Sequence, residues 1–484
     1  MEILNRLYIG GRWADADSGA TFDVVNPATG EVLAKLADGG EADMREAVDR
    51  AAAAQPAWGA TVALDRSAVL RRAAAITRER MGWLAEVMTM EQGKPLGQSV
   101  AELEYGVGFL EWFAEESRRV YGMTIPTLDR AKRIVVLRQP AGVSAAITPW
   151  NFPALQILRK LGAALAAGCT MVVKPAELTP LSALEIGRTF TDAGLPEGVL
   201  SVVPGLDPVP LAEAVQRDER VRVLSFTGST EVGKLLMRGA ADTVKRVSLE
   251  LGGHAPVLVF EDADLDRAAD ETVASKVRNM GQTCISANRI FVQASVAEAF
   301  GAKLVERLRS LKVGSGLDPD VAVGPLVEPA AVEKVERHVA DAADRGATVL
   351  LGGSRVDPLA PGAGNFFAPT VLAGVDESML VTREETFGPV APLLTFAHED
   401  EAVARANDTP YGLAAYAFTS DLNRAVRLAE GLEYGTVGIN DASISAVQAP
   451  FGGMKESGVG REGGAAGMEE YLETKYVSLG GLPA

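Results

Sequence analysis

The chain contains little cysteine and little histidine. Its 484 residues include two cysteines, Cys169 and Cys284, and three histidines, His254, His338 and His398. Two cysteines with no CxxC pair exclude a disulfide scaffold and fit the reducing cytoplasm. Three histidines scattered along the sequence build neither a His-based triad nor a metal cluster, so no metal site is predicted.

A long apolar run is also missing. The longest uncharged apolar stretch, residues 161–173, is shorter than the roughly 20 residues that span a bilayer. Residues 1–13 carry charges at Glu2 and Arg6 and contain no apolar core, unlike a secretory signal. We therefore expect a cytoplasmic protein without a membrane partner.

Positive charge is in short supply. The 47 Lys and Arg residues face 64 Asp and Glu residues, a net charge of −17. This balance argues against a nucleic acid or an anionic membrane as partner. An anionic small molecule would be repelled overall and would need local arginines. The length indicates two or three structural units rather than one core.

Hydrophobic periodicity predicts an α/β protein. Hairpin patterns occupy the first 40 residues, and helical patterns follow at 41–55, 64–90 and 98–119. From Ala145 onward, short apolar runs alternate with amphipathic stretches, which is typical of a doubly wound parallel sheet. A second series of the same kind, from Pro256 to Val371, predicts another α/β unit.

Two segments offer residues for covalent acyl chemistry. Glu250 lies in Leu249-Glu250-Leu251-Gly252-Gly253, and Cys284 ends Gly281-Gln282-Thr283-Cys284. A thiolate attacks a carbonyl well, and a nearby carboxylate can draw a proton from water to release the thioester. The pair alone leaves a cofactor-free thiol hydrolase and an inactive structural protein open, since free cysteines are usually buried and inert.

Two glycine-rich segments resemble nucleotide motifs only in part. The segment 458–463 satisfies GxGxxG, but no apolar strand precedes it, so we predict a turn-rich loop. The segment 228–234 lacks the Ser or Thr that would bind Mg²⁺, because Leu235 stands there. A strand ending near Phe226 and a helix beginning near Ser229 remain, and free N–H groups at that helix start could hold a pyrophosphate.

Motifs in the same order along the whole chain resemble those of the aldehyde dehydrogenase superfamily. Besides the two segments around Glu250 and Cys284, they are Thr148-Pro149-Trp150-Asn151-Phe152-Pro153, Lys174-Pro175-Ala176-Glu177, Phe226-Thr227-Gly228-Ser229-Thr230-Glu231-Val232-Gly233, Glu385-Thr386-Phe387-Gly388-Pro389 and Pro450-Phe451-Gly452-Gly453-Met454-Lys455-Glu456-Ser457-Gly458. The resemblance implies a Rossmann-like cofactor domain (1–125 and 145–252), a catalytic α/β domain (253–448) and oligomerisation strands (126–144 and 465–484). It also implies a homodimer or homotetramer.

The resemblance implies roles for individual residues. Cys284 matches the nucleophile that forms a thiohemiacetal, Glu250 the base that activates water, and Asn151 the amide that joins the Cys284 N–H in an oxyanion hole. The implied cofactor residues are Thr148, Pro149, Trp150, Lys174, Glu177, Gly228, Ser229, Glu385 and Phe387. The Glu177 carboxylate would bind the adenine ribose and repel a 2′-phosphate, which favours NAD and leaves NADP open. Glu385 matches the residue that binds the nicotinamide ribose, with Phe387 beside it.

Within the superfamily, the resemblance is closest to succinate-semialdehyde dehydrogenases. Arg159, Arg278 and Ser445 match residues that bind the far carboxylate of the substrate there, and arginine suits this role because its fork donates two parallel hydrogen bonds. We therefore predict oxidation of succinate semialdehyde to succinate. Glutarate semialdehyde, or another aldehyde with or without a carboxylate, is the nearest alternative.

Two positions depart from the pattern. His254 stands where many relatives carry asparagine, and we interpret it as structural rather than catalytic. Ser286 stands where some succinate-semialdehyde enzymes have a second cysteine. We therefore expect no regulation by a disulfide at Cys284.

Overall fold

A computed structural model describes residues 3–482. Residues 1, 2, 483 and 484 lie outside the described residues. The predictions for 1–13, for the domain that begins at residue 1 and for the strands that end at residue 484 therefore include positions that are not described. The strands are β1 (Leu7–Ile9), β2 (Arg12–Ala14), β3 (Thr21–Val25), β4 (Val32–Ala37), β5 (Met123–Ile125), β6 (Arg133–Pro140), β7 (Val143–Ile147), β8 (Met171–Lys174), β9 (Leu200–Val202), β10 (Val221–Thr227), β11 (Arg246–Glu250), β12 (Ala255–Val259), β13 (Ala287–Gln293), β14 (Thr348–Leu351), β15 (Thr370–Ala373), β16 (Val390–Phe396), β17 (Ala414–Phe418), β18 (Thr436–Ile439), β19 (Gly458–Val459) and β20 (Leu472–Leu479).

The helices alternate with these strands from β7 onward. They are α1 (Glu41–Ala60), α2 (Ala63–Glu79), α3 (Met81–Gln92), α4 (Leu96–Glu116), α5 (Pro153–Ala167), α6 (Pro180–Asp192), α7 (Pro208–Arg217), α8 (Thr230–Ala241), α9 (Leu265–Val277), α10 (Ala297–Arg309), α11 (Pro329–Asp344), α12 (Leu380–Arg383), α13 (Glu399–Asn407), α14 (Leu422–Gly431) and α15 (Ala466–Glu469). None of the described helices is both long enough and apolar enough to cross a membrane.

The first sheet has eight strands in the order β19-β11-β10-β7-β8-β9-β1-β2. Its five central strands, from β11 to β9, are parallel, whereas β19 and β1 are antiparallel to their neighbours. This order confirms the predicted doubly wound sheet. Residues 148–151, 228–229 and 250 therefore follow or end parallel strands at one edge, where open α/β sheets bind ligands.

The second sheet has seven strands in the order β14-β15-β16-β13-β12-β17-β18. All its pairs are parallel except β14 with β15, which confirms a second α/β unit. Cys284 lies between α9 and β13 in this unit. The exact domain limits stay a prediction.

A third sheet is formed by β20, β6 and β5, all antiparallel. Apolar side chains remain exposed on it, among them Met123, Leu137 and Tyr476. β5 begins before residue 126, so this sheet draws on a slightly longer segment than the predicted oligomerisation strands. Whether the sheet pairs with another subunit stays a prediction.

Two local predictions differ from the structure. The predicted helix 64–90 is two helices, α2 and α3, because the backbone at Arg80 leaves the helical region (φ −98°, ψ 6°). Both α2 and α3 pack on α4 and on α6. The loop predicted at 458–463 contains the edge strand β19, which pairs with Leu249 and Glu250. A 3₁₀ turn, Lys455–Ser457, precedes it instead of an apolar strand, so it is not a dinucleotide fingerprint.

Candidate active site

A cavity of about 370 Å³ lies between the two parallel sheets. Eight of the predicted site residues line it: Pro149, Trp150, Asn151, Gly228, Ser229, Cys284, Glu385 and Phe387. Glu250 ends β11 directly before Leu251 and Gly252, which also line the cavity. The structure therefore brings the predicted nucleophile, oxyanion donor and cofactor segments to one place.

A left-handed turn presents Cys284 to the cavity. Asn279, Met280 and Gly281 have φ angles of 49°, 56° and 75°, a backbone that only glycine adopts without strain. A Cβ on Gly281 would lie 2.2 Å from the Gly388 carbonyl oxygen, so this position requires glycine for space as well. The turn lets the chain reverse between α9 and β13 and leaves Cys284 partly accessible.

The Cys284 thiol is protonated at neutral pH. Burial, followed by the nearby carboxylates of Glu385 and Glu250, raises the pKa of Cys284 to about 12. Each of these effects disfavours the thiolate. The thiol therefore needs a base before it can attack a carbonyl.

Glu250 is the candidate for that base, since its charge acts on the Cys284 thiol. Its side chain is buried, and neither carboxylate oxygen has a hydrogen-bond partner within residues 3–482. Burial and then the charge of Glu462 raise the pKa of Glu250 well above its usual value, although Arg159 and Lys160 oppose the rise. A buried carboxylate with a raised pKa and free lone pairs suits proton transfer.

Asn151 is held beside Cys284 by hydrogen bonds from both its side chain and its backbone. Its Nδ2 donates to the Gln282 carbonyl at 3.0 Å, and its own carbonyl accepts from Lys94 Nζ at 2.7 Å and from Asn279 Nδ2 at 2.8 Å. The amide has two N–H groups, so one remains for an oxyanion beside Cys284.

Lys94 and Glu102 were not predicted from the sequence. They form a buried ion pair, and Glu102 Oε1 also accepts from the N–H groups of Ala154 and Leu155 at 2.9 and 3.0 Å. This carboxylate caps the first turn of α5, where a negative charge is favourable. Lys94 lies in the loop between α3 and α4, and Glu102 lies in α4. Neither belongs to a motif, so no local signal identifies them.

The cavity fits the nicotinamide cofactor that the sequence implies. Thr227 lines it, and the Thr227 hydroxyl is buried with no hydrogen-bond partner among residues 3–482. Gly228 and Ser229, which directly precede α8, line it as well, and N–H groups at a helix start can hold a phosphate. Glu385 Oε1 accepts the Gly253 N–H at 3.1 Å, and burial raises the pKa of Glu385 to about 7. The Phe387 ring packs edge-on against Trp150 with 5.4 Å between centroids.

Three further residues predicted to bind the cofactor, Thr148, Lys174 and Glu177, do not line this cavity. The Thr148 hydroxyl is buried without a described partner. Lys174 Nζ donates to Glu177 Oε2 at 2.9 Å. Glu328, which directly precedes α11 and was not predicted, lines the cavity. Burial, followed by the charge of Glu177, raises the pKa of Glu328. Two carboxylates therefore lie near each other at this end.

The two predicted substrate arginines are not equivalent. Arg159 lies in α5, of which every residue is buried. Its guanidinium pairs with Glu462 at 2.5 Å and donates to Gln156 Oε1 at 2.8 Å. Glu462 also binds Lys160. The charge of Arg159 is thus already balanced by a protein carboxylate.

Arg278 has no carboxylate at ion-pair distance in the described part of the chain. Its guanidinium is half-buried and lies 5.1 Å from the centre of the Phe152 ring. It lines a second cavity of about 440 Å³, with Ser443 among the other lining residues. Ser445 forms a hydrogen bond with Tyr105, a residue missed by the sequence analysis that also feels the charges of both arginines.

Neither the three histidines nor Ser286 is among the described residues that line the cavity. Burial and then the charge of Arg289 hold the pKa of His254 well below its usual value, so its ring is neutral; its structural role stays a prediction. Ser286 is buried. No group of three or more His, Cys, Asp or Glu side chains within 3–482 could hold a metal ion.

Known proteins resemble the chain over nearly its full length. Residues 13–477 match the model of the aldehyde dehydrogenase family. A glutarate-semialdehyde dehydrogenase of Pseudomonas putida is 52% identical over 98% of this chain and 97% of its own. An NADP(+) succinate-semialdehyde dehydrogenase of Escherichia coli is 50% identical over 98% and 97%. The crystal structure of a succinate-semialdehyde dehydrogenase from Burkholderia pseudomallei superposes with a TM-score of 0.97 at 51% identity, covering 99% of this chain and 98% of that one.

Proposed function

This chain belongs to the aldehyde dehydrogenase family, and from that premise we propose that it oxidises succinate semialdehyde to succinate with NAD. The observation that carries the substrate assignment is Arg278, a half-buried cation that forms no ion pair with a carboxylate in the described residues and that lines the second cavity. A buried unpaired charge is costly. An anionic group on the substrate would offset that cost.

The residues around Cys284 support the following sequence of steps. Glu250 accepts the thiol proton, and the sulfur forms a bond to the aldehyde carbon. The negative charge that develops on the oxygen is stabilised by the Cys284 N–H and the Asn151 amide, a type of contact that contributes about 3–4 kcal/mol per donor. When bound, the nicotinamide cofactor supplies the acceptor for the hydride that leaves this carbon.

Glu250 also serves the second half of the reaction. Once the thioester has formed on Cys284 and Glu250 has released the thiol proton to solvent, Glu250 accepts a proton from water as the water oxygen bonds to the acyl carbon. The C–S bond then breaks, and the carboxylic acid leaves while sulfur regains its proton. The absence of hydrogen bonds to either Glu250 oxygen in the described structure leaves room for both proton transfers.

A second candidate substrate is glutarate semialdehyde, which is one methylene longer. The Pseudomonas putida relative that is 52% identical to this chain, a glutarate-semialdehyde dehydrogenase, supports it. One methylene in an apolar pocket discriminates by only about 1–3 kcal/mol. NADH production over a panel of aldehydes with and without a terminal carboxylate tests both: a preference for butanal would refute the assignment.

The first prediction separates Arg278 from Arg159. Arg278→Ala should lower kcat/KM for succinate semialdehyde by roughly 30-fold or more, because losing one partner of a desolvated charge pair costs about 2–5 kcal/mol. Butanal should be affected far less, and the melting temperature should stay close to that of the wild type. Arg267→Ala, an exposed change of the same charge on α9, is the control.

Arg159→Ala should behave differently. It leaves Glu462 with Lys160 alone, and breaking a buried ion pair costs about 3–5 kcal/mol of stability. We expect a lower melting temperature and reduced activity on charged and uncharged aldehydes alike. If Arg159→Ala instead lost activity on succinate semialdehyde alone and kept the wild-type melting temperature, Arg159 would bind the substrate carboxylate as Arg278 does, and this prediction would be wrong.

Ser445→Ala should lower kcat/KM for succinate semialdehyde roughly fivefold, because a neutral hydroxyl contributes about 1 kcal/mol to binding.

The next prediction concerns the choice of cofactor. We propose that Glu177 repels the 2′-phosphate of NADP and that NAD gives the higher kcat/KM. Glu177→Ser should reduce the NAD-to-NADP ratio by about tenfold, which corresponds to 1.4 kcal/mol. In Glu177→Ser, the nearby carboxylate of Glu328 should still repel the 2′-phosphate and preserve part of the preference for NAD. Glu430→Ser, an exposed change of the same charge on α14, should leave the ratio unchanged; equal use of both cofactors by the wild type would contradict the role of Glu177.

We also propose that the protein is a homodimer or homotetramer in the cytoplasm. The exposed apolar side chains of the sheet formed by β5, β6 and β20 support subunit pairing, because contiguous apolar surface is usually covered. Light scattering during size-exclusion chromatography tests the assembly. A monomeric mass would contradict it.

A further inference from the structure

His338 lies behind the segment that carries Glu385. Its ring is fully buried, with Nδ1 3.2 Å from Thr386 Oγ1 and Nε2 3.1 Å from Glu384 Oε2. These two partners flank Glu385 on both sides. The side chains of Glu384 and Thr386 therefore contact α11, while Glu385 lines the cavity, which Thr386 also borders.

The two hydrogen bonds of His338 have defined directions. Burial lowers the pKa of His338 more than the Glu384 carboxylate raises it, with Lys334 and Arg337 adding to the lowering. The ring is therefore neutral at neutral pH and carries one N–H. A carboxylate only accepts, so Nε2 donates to Glu384 and Nδ1 accepts the proton of the Thr386 hydroxyl.

Helix α11 also holds the backbone of the same segment. Lys334, one turn before His338, lines the cavity and donates through Nζ to the Glu385 carbonyl at 2.5 Å. Phe387 has a φ of 55°, a conformation that a bulky residue keeps only when its surroundings enforce it. The contacts from α11 hold the segment 384–387 on one side. On the opposite side, Gly253 N–H holds the segment by donating to Glu385.

We propose that His338 is a positioning residue for cofactor binding: it fixes Glu384 and Thr386, and through them holds Glu385 and Phe387 against the cofactor. The proposal rests on the proposed role of Glu385 and goes beyond it. His338 itself does not line the cavity. Its loss should therefore weaken the binding of NADH without slowing the chemistry at Cys284.

The test is a fluorescence titration of NADH with the full-length protein. His338→Leu removes both hydrogen bonds and should raise the Kd for NADH roughly fivefold or more, the scale of one lost hydrogen bond. The dissociation rate in stopped flow should rise accordingly. The KM for NAD should rise in parallel, while kcat at saturating NAD should stay within about twofold or increase if product release limits it.

Conservative variants separate positioning from general stability. His338→Gln keeps one donor for Glu384 and should recover part of the affinity. Thr386→Val removes the donor to Nδ1, and combined with His338→Leu it should add nothing further, since the two changes break the same contact. His398→Leu, at an exposed histidine, should leave the Kd unchanged. If His338→Leu does not fold, His338→Gln and Thr386→Val decide the question.

Glu385→Gln distinguishes the two ways in which the proposal could fail. If Glu385→Gln leaves the Kd for NADH unchanged, the proposed cofactor role of Glu385 is wrong. If Glu385→Gln weakens NADH binding but the His338 and Thr386 variants only lower the melting temperature, the positioning role of His338 is wrong and the cofactor site stands.

Discussion

Cys284→Ala should abolish NAD-dependent aldehyde oxidation, with a loss of roughly 10³-fold or more, the scale seen when a covalent enzyme loses its nucleophile. The Kd for NADH should change by less than about twofold, because the thiol contributes to bond formation rather than to cofactor affinity. NADH formation and NADH fluorescence on the same sample measure both. Oxidation near the wild-type rate would refute the covalent mechanism.

The environment of Cys284 adds a pH dependence to this prediction. Because burial and two nearby carboxylates raise its pKa to about 12, the thiolate fraction should be small at pH 7 and should grow steadily toward pH 10. Alkylation by iodoacetamide without added cofactor should follow that rise without a plateau. Mass spectrometry should locate the adduct at Cys284, because Cys169 is fully buried whereas Cys284 is partly accessible. A plateau near pH 7 would contradict this environment.

The elements that the sequence predicts best are those with local causes. Apolar runs and helical spacing identified β8, β9 and β10 and the helices after them, because burial on a sheet imposes a short-range pattern. The break at Arg80 was missed because it separates two amphipathic helices whose patterns run on continuously. Which neighbour each helix packs against is a property of the whole chain.

The site divides in the same way. The motif residues around Cys284 follow strand ends and glycine turns, so their positions are fixed locally. The pairing of Arg159 with Glu462 joins residues about 300 positions apart, in a segment whose pattern predicted only a loop. The sequence therefore predicted the same role for Arg159 and Arg278. In the structure, Arg159 forms an ion pair with Glu462, whereas Arg278 forms no ion pair with a carboxylate in the described residues.

Glu250→Gln should separate the two halves of the reaction. Glutamine keeps the size of the side chain but cannot accept a proton, so water can no longer be activated. Formation of the thioester also requires the thiol proton to leave, but at high pH a base from solvent can remove that proton. Hydrolysis of the buried thioester cannot use a solvent base in the same way. We expect about one NADH per active site in a first turnover at pH 9, followed by a stall.

The stalled enzyme should carry its acyl group on Cys284, which mass spectrometry of acid-quenched protein detects. The wild type should show an acid limb in kcat that Glu250→Gln lacks. Its direction follows from the raised pKa of Glu250: the carboxylate is the active form, so activity is lost as pH falls through a value well above that of an ordinary glutamate. Glu430→Gln should retain the wild-type profile. Absence of both burst and adduct in Glu250→Gln, with the acid limb intact, would assign the base to another residue.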